Sequence, residues 1–233
     1  MGINLEYCSL HYLQQWLSSE RSLHDALSGT DERSIREGLS SAVKSFGVAR
    51  NLPRKYDVDR GLNRYEPLLE VFLQLKEQEI SESNFINVVD NFQSAISKRY
   101  GGQKLISLSS KLLWLRYRDP FIIYDNRART SLKVTPGDYS KYVAEWLKLF
   151  QLCQERIAAI CSELSSVYRY AEFEYDESNF AEIKNISNEE WFHKRVFDIC
   201  LWHGAEENVA LWDVCSNPSG PRFKSSRPVQ LVD

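Results

Sequence analysis

Apolar residues recur along this chain at three- and four-residue intervals far more often than they alternate, the pattern of amphipathic helices. It predicts a first helix over Leu5 to Leu17 and a second from Asp31 to Phe46. The second carries Ile35, Leu39, Val43 and Phe46 on one face, with Thr30 as its candidate cap. Tyr65 to Gln78 reads as a helix with Pro67 in its first turn. Glu82 to Arg99 is another, with Phe85, Val88, Val89, Phe92 and Ile96 in register and Gly101–Gly102 as its stop. A short helix follows over Ser109 to Tyr117, ended before Pro120. Phe121 to Tyr124 is then extended, and Asp125 is placed to cap the next helix. After Gly137 a long stripe of Tyr142, Trp146, Leu149, Cys153, Ile157, Ile160 and Leu164 marks a core helix. Ser187 to Glu190 has the form of a capping box opening a helix to Trp202, with Gly204 beyond it. The segment Gly47 to Asn63 has no helical period and reads as a basic loop. With no strand pattern and no internal repeat, the fold class is all-α.

At 233 residues, 43% of them hydrophobic, the chain can bury a full core. Residues 1–215 are expected to form one compact helical domain, either a single body or two lobes with a cleft. The Pro/Ser-rich basic stretch 216–233 is expected to be a flexible tail. The stripe from Tyr142 to Tyr168 is broken by Lys148, Glu155, Arg156 and Glu163, so no membrane span is expected. The N-terminus has neither a basic start nor a small-residue cleavage site, which leads to the expectation of a soluble, cytoplasmic protein. The five cysteines (Cys8, Cys153, Cys161, Cys200 and Cys215) are scattered, and reduced buried thiols are the expected state. His203 follows Cys200 at i+3, but with no second close pair a zinc site is not expected. No metal and no cofactor is called for.

Net charge of −3 argues against a general polyanion coat, and the distribution of charge changes that picture. Between Ser94 and Lys133 nine basic residues face only Asp119 and Asp125, while residues 163–190 carry eight acids against Arg169 and Lys184. One face could meet a polyanion, or neighbouring helices could pair their opposite charges.

Residues 105–130 read LISLSSKLLWLRYRDPFIIYDNRART. A short helix bearing Lys111 leads to Pro120, then to an apolar extended run, then to Asp125 at a helix start. This segment, within 82–131, resembles the signature of the helix-hairpin-helix DNA glycosylases. In that family a Leu-Pro-Gly-Val-Gly hairpin precedes a Lys-bearing helix, and a proline then leads to an aspartate. On the alignment Leu105 opens the hairpin, Ser107 and Ser109 take the glycine positions, and Lys111 matches the lysine of the bifunctional members. Two features depart from the pattern: the hairpin glycines are serines, and the helix between lysine and proline is about one turn shorter. The spaced cysteines of an iron–sulfur cluster are absent, so the resemblance is to the cluster-free, 8-oxoguanine-glycosylase-like branch.

The resemblance implies a two-lobed all-α fold and excision of a damaged or modified base from DNA, with associated lyase activity. It makes Lys111 the nucleophile and Asp125 the electrostatic, water-orienting carboxylate. Ser107, Ser109, Ser110, Arg116, Arg118, Arg127 and Arg129 would contact the DNA backbone. The residue types suit that chemistry. Breaking an N-glycosidic bond develops positive charge on the sugar, which a fixed carboxylate stabilises. A helix N-terminus favours the anionic carboxylate, and a lysine freed of its proton can attack C1′ and form a Schiff base. Asp125 could equally be an N-cap alone, and Lys111 a solvated or phosphate-neutralising cation. Two other functions stay open: a glycosylase-like scaffold that binds DNA or a protein without chemistry, and a helical module whose acidic 163–190 region binds a basic partner. The base recognised, the form of the DNA and the oligomeric state are not legible.

Overall fold

A computed structural model describes residues 4–52, 63–77, 79–167 and 177–207. Among these residues the regular structure is helical, with no strand. No helix among them is long and apolar enough to cross a membrane. The expected tail 216–233 lies outside the described residues, as do residues 53–62 of the expected basic loop.

The first predicted helix is α1 (Leu5–Gln15), and the chain does not stop there. A π-helical turn over Trp16–Glu20 passes directly into α2 (Arg21–Ser28). The wide turn keeps both Trp16 and Glu20 turned into the protein, and Ser19 Oγ donates to the freed Gln15 carbonyl at 3.1 Å. Helix α2 buries only Leu23 and Leu27, too few positions to announce itself as a period. Helix α3 (Glu32–Ser45) is capped by Asp31, not by Thr30: Asp31 Oδ2 accepts from Ser34 N at 2.8 Å. Ile35, Leu39 and Val43 are buried as their spacing requires.

Helix α4 (Glu66–Leu73) relaxes into a 3₁₀ turn over Gln74–Glu77. Helix α5 (Phe85–Arg99) buries the whole predicted stripe. It ends at Gly101 and Gly102, both at positive φ, with Gly102 N donating back to Ser97 O at 2.8 Å. Helix α6 (Ile106–Tyr117) begins three residues earlier than its sequence suggests. Every residue from Leu108 to Arg116 in it is buried, so it is the central strut around which α2, α3 and α5 pack.

The run Phe121–Tyr124 is extended and buried without a strand partner. Side chains satisfy its backbone instead: Tyr139 Oη donates to Ile122 O at 2.7 Å and Tyr142 Oη to Ile123 O at 2.9 Å. Helix α7 (Asn126–Ser131) follows at once, and α8 (Tyr139–Ser162) starts from Asp138, whose carboxylate accepts from Lys141 N. In α8 the fully buried stripe runs through Phe150 and Cys161, where the sequence pointed to Leu149 and Ile160, each one residue earlier.

After α9 (Leu164–Val167) comes α10 (Glu177–Ile186), which the sequence pattern does not announce. The supposed capping box is not one. Ser187 is buried and turns back to the Lys184 carbonyl, and α11 (Glu190–Glu207) runs through Gly204. Helix α11 is buried continuously from Trp191 to Leu201 and packs against α1, α7 and α8. Cys8, Cys161 and Cys200 are free and buried, but Cys153 is disulfide-bonded, against the expectation of reduced thiols throughout. Its partner lies outside the described residues.

Candidate active site

Lys111 sits in the middle of α6, where neighbours leave its side chain only 8% exposed. Its Nζ donates to Asp125 Oδ2 at 3.0 Å and stands 5.7 Å from the centre of the Phe46 ring. Asp125 is the N-cap of α7: its backbone is extended, and Oδ1 accepts from Arg127 N at 2.9 Å. Burial pushes the Asp125 carboxyl up. The Lys111 charge, the Arg127 amide and Arg195 outweigh it, and the carboxyl is held below its usual range.

The thirteen residues between the two are held in place by α6 itself. Ser110 Oγ, one residue before Lys111, accepts from Tyr124 N at 2.9 Å, one residue before Asp125. That bond, with Tyr142 on the Ile123 carbonyl, fixes the register of the extended run against the helix.

The pair lies on the wall of a cavity of about 280 Å³. His11 and Gln15 of α1 and Phe46 at the end of α3 form one side. Arg195, Asp198, Trp202 and His203 of α11 line it as well. Trp202 carries Arg127 over its face at 4.0 Å. Behind the wall, Arg195 is buried against Tyr12 and Trp114, and its Nη2 donates to the buried Glu20 at 2.8 Å. Asp198 Oδ1 accepts from Trp146 Nε1 at 2.8 Å. Burial pushes the Asp198 carboxyl up to about 7, although Arg195 and the Trp146 bond oppose the shift.

The other residues singled out from the sequence do not gather here. Ser107 is half-buried, in the first turn of α6. Ser109 and Ser110 are fully buried, because the helix starts at Ile106 and places them inside it, not in a hairpin. Neither presents a surface to a phosphate. The turn between α5 and α6 is instead Tyr100–Leu105, with Gly101 and Gly102 supplying the positive φ. Arg116 is buried over Phe72 and Tyr117 and donates to the Leu27 carbonyl at 3.3 Å. Arg118 is half-buried between the rings of Trp16 and Trp191, at 5.2 and 4.4 Å, and bonds His24. Arg116 is withdrawn by its burial as a backbone contact, while Arg118 lines a second, more open cavity with Asp119 and Trp191. Arg127 and Arg129 stay at the surface near the cavity, on α7, with Arg129 bonded to Asn126 and the Val134 carbonyl. Of the acidic 163–190 stretch, residues 168–176 lie outside the description; Glu182 pairs with Arg21, and Glu190 pairs with Lys194 at 3.0 Å.

Arg195, Asp198, Trp202, His11 and Phe46 were not anticipated as site residues. One signal was present: Arg195 and Asp198 stand three apart within WFHKRVFDICLW, where apolar residues occupy every face of the helix. A charge on such a helix is buried and therefore needs a partner. No protein-family model, curated protein or solved structure matches the chain.

Proposed function

We propose that the protein is a DNA glycosylase with associated lyase activity, acting on a base turned out of the helix into the cavity described above. The observation that carries this reading is the Lys111 Nζ–Asp125 Oδ2 contact of 3.0 Å, on the wall of a cavity edged by aromatic rings. A site of about 280 Å³ lies just below the range of drug-sized pockets and suits a single nucleobase.

In the proposed reaction the Lys111 amine, once free of its proton, attacks C1′ of the target nucleotide. The C1′–N bond breaks and the departing base takes the electron pair. The proton released from the new C1′–nitrogen bond neutralises that base. Ring opening, with O4′ taking a proton from water, yields the protonated Schiff base; loss of a 2′ proton to water then forms the C2′–C3′ double bond, and the 3′ phosphate leaves with the electron pair of the C3′–O3′ bond. Asp125, held anionic by its cap position and its cationic neighbours, stabilises the positive charge that builds on the sugar. Lys104 and Arg50 beside the first turn of α6, and Arg127 and Arg129 on α7, supply cations for the flanking phosphates.

A binding scaffold without chemistry is the second reading. It is favoured by the burial of Ser109, Ser110 and Arg116, which withdraws three of the seven expected DNA contacts. Base release from oligonucleotides carrying 8-oxoguanine, uracil or alkylated bases separates the two. Glycosylase action is expected on at least one, with Asp125→Asn lowering the single-turnover rate about 100-fold or more. DNA binding with no base released from any of them would overturn the enzymatic reading in favour of the scaffold.

A further inference from the structure

The α11 side of the cavity carries a carboxyl that the proposed chemistry does not use. Asp198 lines the cavity and is only 7% exposed, so its position is set by the protein. One oxygen is spoken for by Trp146 Nε1 at 2.8 Å. The other, Oδ2, stands 3.7 Å from Arg195 Nη1, beyond hydrogen-bond reach, and has no other partner among the described residues. Arg195 cannot swing across to it freely, because the guanidinium is packed between Tyr12 and Trp114 and bonded to Glu20. Oδ2 is thus an acceptor oxygen without a close donor, on a residue that lines the cavity, and a ligand's N–H can be accepted there.

We propose that Asp198 Oδ2 reads the edge of the base held in this cavity by accepting a hydrogen bond from an amino group, so that the site takes amino-bearing purines. This rests on the base-binding reading of the cavity but not on the Lys111 chemistry. Three features support the choice. The lining includes the rings of Phe46, Trp202 and His203, apolar surface of the kind a two-ring base packs against. Trp146 and the α11 backbone fix the carboxyl, so its free oxygen selects by position. Burial, with smaller contributions from Asp125 and Glu20, raises this carboxyl to about 7, and Arg195 and the Trp146 bond only partly compensate. An incoming N–H donor would supply the compensation that is missing.

Two pairs of bases that differ by a single amino group provide the test: guanine against hypoxanthine, and adenine against purine. Each is placed in an oligonucleotide with a 2′-fluoro sugar, whose glycosidic bond resists cleavage, and its Kd is measured by fluorescence anisotropy at about pH 8. One hydrogen bond to a charged acceptor corresponds to a preference of roughly 10- to 100-fold for the amino-bearing member of at least one pair. Asp198→Asn keeps the Trp146 bond but turns a donor towards the base, and is expected to abolish that preference with overall DNA affinity retained. In the wild type the preference is also expected to shrink as pH falls from about 8 to about 6 and Asp198 takes up its proton. This second readout needs no variant to fold. Equal affinity within both pairs, or an unchanged preference in Asp198→Asn, would overturn the inference. Discrimination without base release would leave it standing and remove the glycosylase chemistry instead.

Discussion

Asp198 and Asp125 face the same cavity and are shifted in opposite directions, because they meet different neighbours. Asp125 stands in contact with Lys111 and an amide at a helix start, whereas Asp198 is buried with Arg195 at 3.7 Å and already engaged elsewhere. The consequences for stability have opposite signs. The folded state holds the Asp198 proton up to about 7, while the unfolded chain releases it near 3.8. Its stabilising contribution is therefore complete below about pH 4 and is lost as pH rises towards 7. Asp125, held low, contributes stability above the ordinary carboxylate range that is lost as pH falls through its folded value. Thermal melts from about pH 2 to about pH 8 check this: Asp198→Asn is expected to flatten the decline between 4 and 7 and leave the acid limb intact. A decline of unchanged slope in Asp198→Asn would mean that another group carries it.

Lys111 and Asp125 were singled out by the resemblance of their segment to the glycosylase signature, since taken alone they read as a surface cation and an N-cap. Arg195 and Asp198 were obscured by their setting. With His193 and Lys194 beside them they form a polar cluster of the kind that usually faces solvent, and only the apolar residues on every face of the helix reveal that all four are buried.

Among the elements, the helices that could be read are those with one wet face. Helix α5 buries Phe85, Val88, Val89, Phe92 and Ile96 and leaves the residues between exposed or half-buried, so periodicity locates it. Helices α6 and α11 are enclosed on every side, so the start of α6 and both ends of α11 could not be placed from a stripe that does not exist, whereas Pro120 located the end of α6 at Tyr117. The start of α6 matters most. Extending it back to Ile106 moves the turn to Gly101–Gly102 and puts Ser109 and Ser110 inside the protein. Ser110 then becomes the joint between α6 and the extended run that delivers Asp125. Ser110→Ala removes the acceptor for Tyr124 N and leaves a buried amide unpaired, a loss of about 1–3 kcal/mol by denaturant unfolding. Because Asp125 is next in sequence to Tyr124, the same change is expected to lower base release at least about 10-fold with DNA affinity nearly constant. A variant that is destabilised but turns over at the wild-type rate would show that the joint supports the fold and not the site.

Over the whole molecule, the excess of basic residues between Ser94 and Lys133 is not one external patch. Lys111 and Arg116 are buried, and Arg118 is held between two tryptophans. Charge counted along a sequence says how many cations a segment has, not which of them reach solvent. The all-α class was legible because helical periods recur from end to end. The cavity was not, since it is assembled from α1, the end of α3, α6, the start of α7 and α11, regions far apart in the chain. What the sequence did provide was the pair at its wall.

Borohydride trapping tests that pair most directly. The protein is incubated with labelled oligonucleotides carrying an abasic site or a damaged base, and any Schiff base is reduced to a stable adduct. Wild type is expected to form a covalent protein–DNA adduct that Lys111→Gln does not form and Asp125→Asn forms about 100-fold more slowly. An adduct of undiminished yield in Lys111→Gln, or no adduct from wild type on any of these oligonucleotides, would contradict the assignment of Lys111 as the nucleophile.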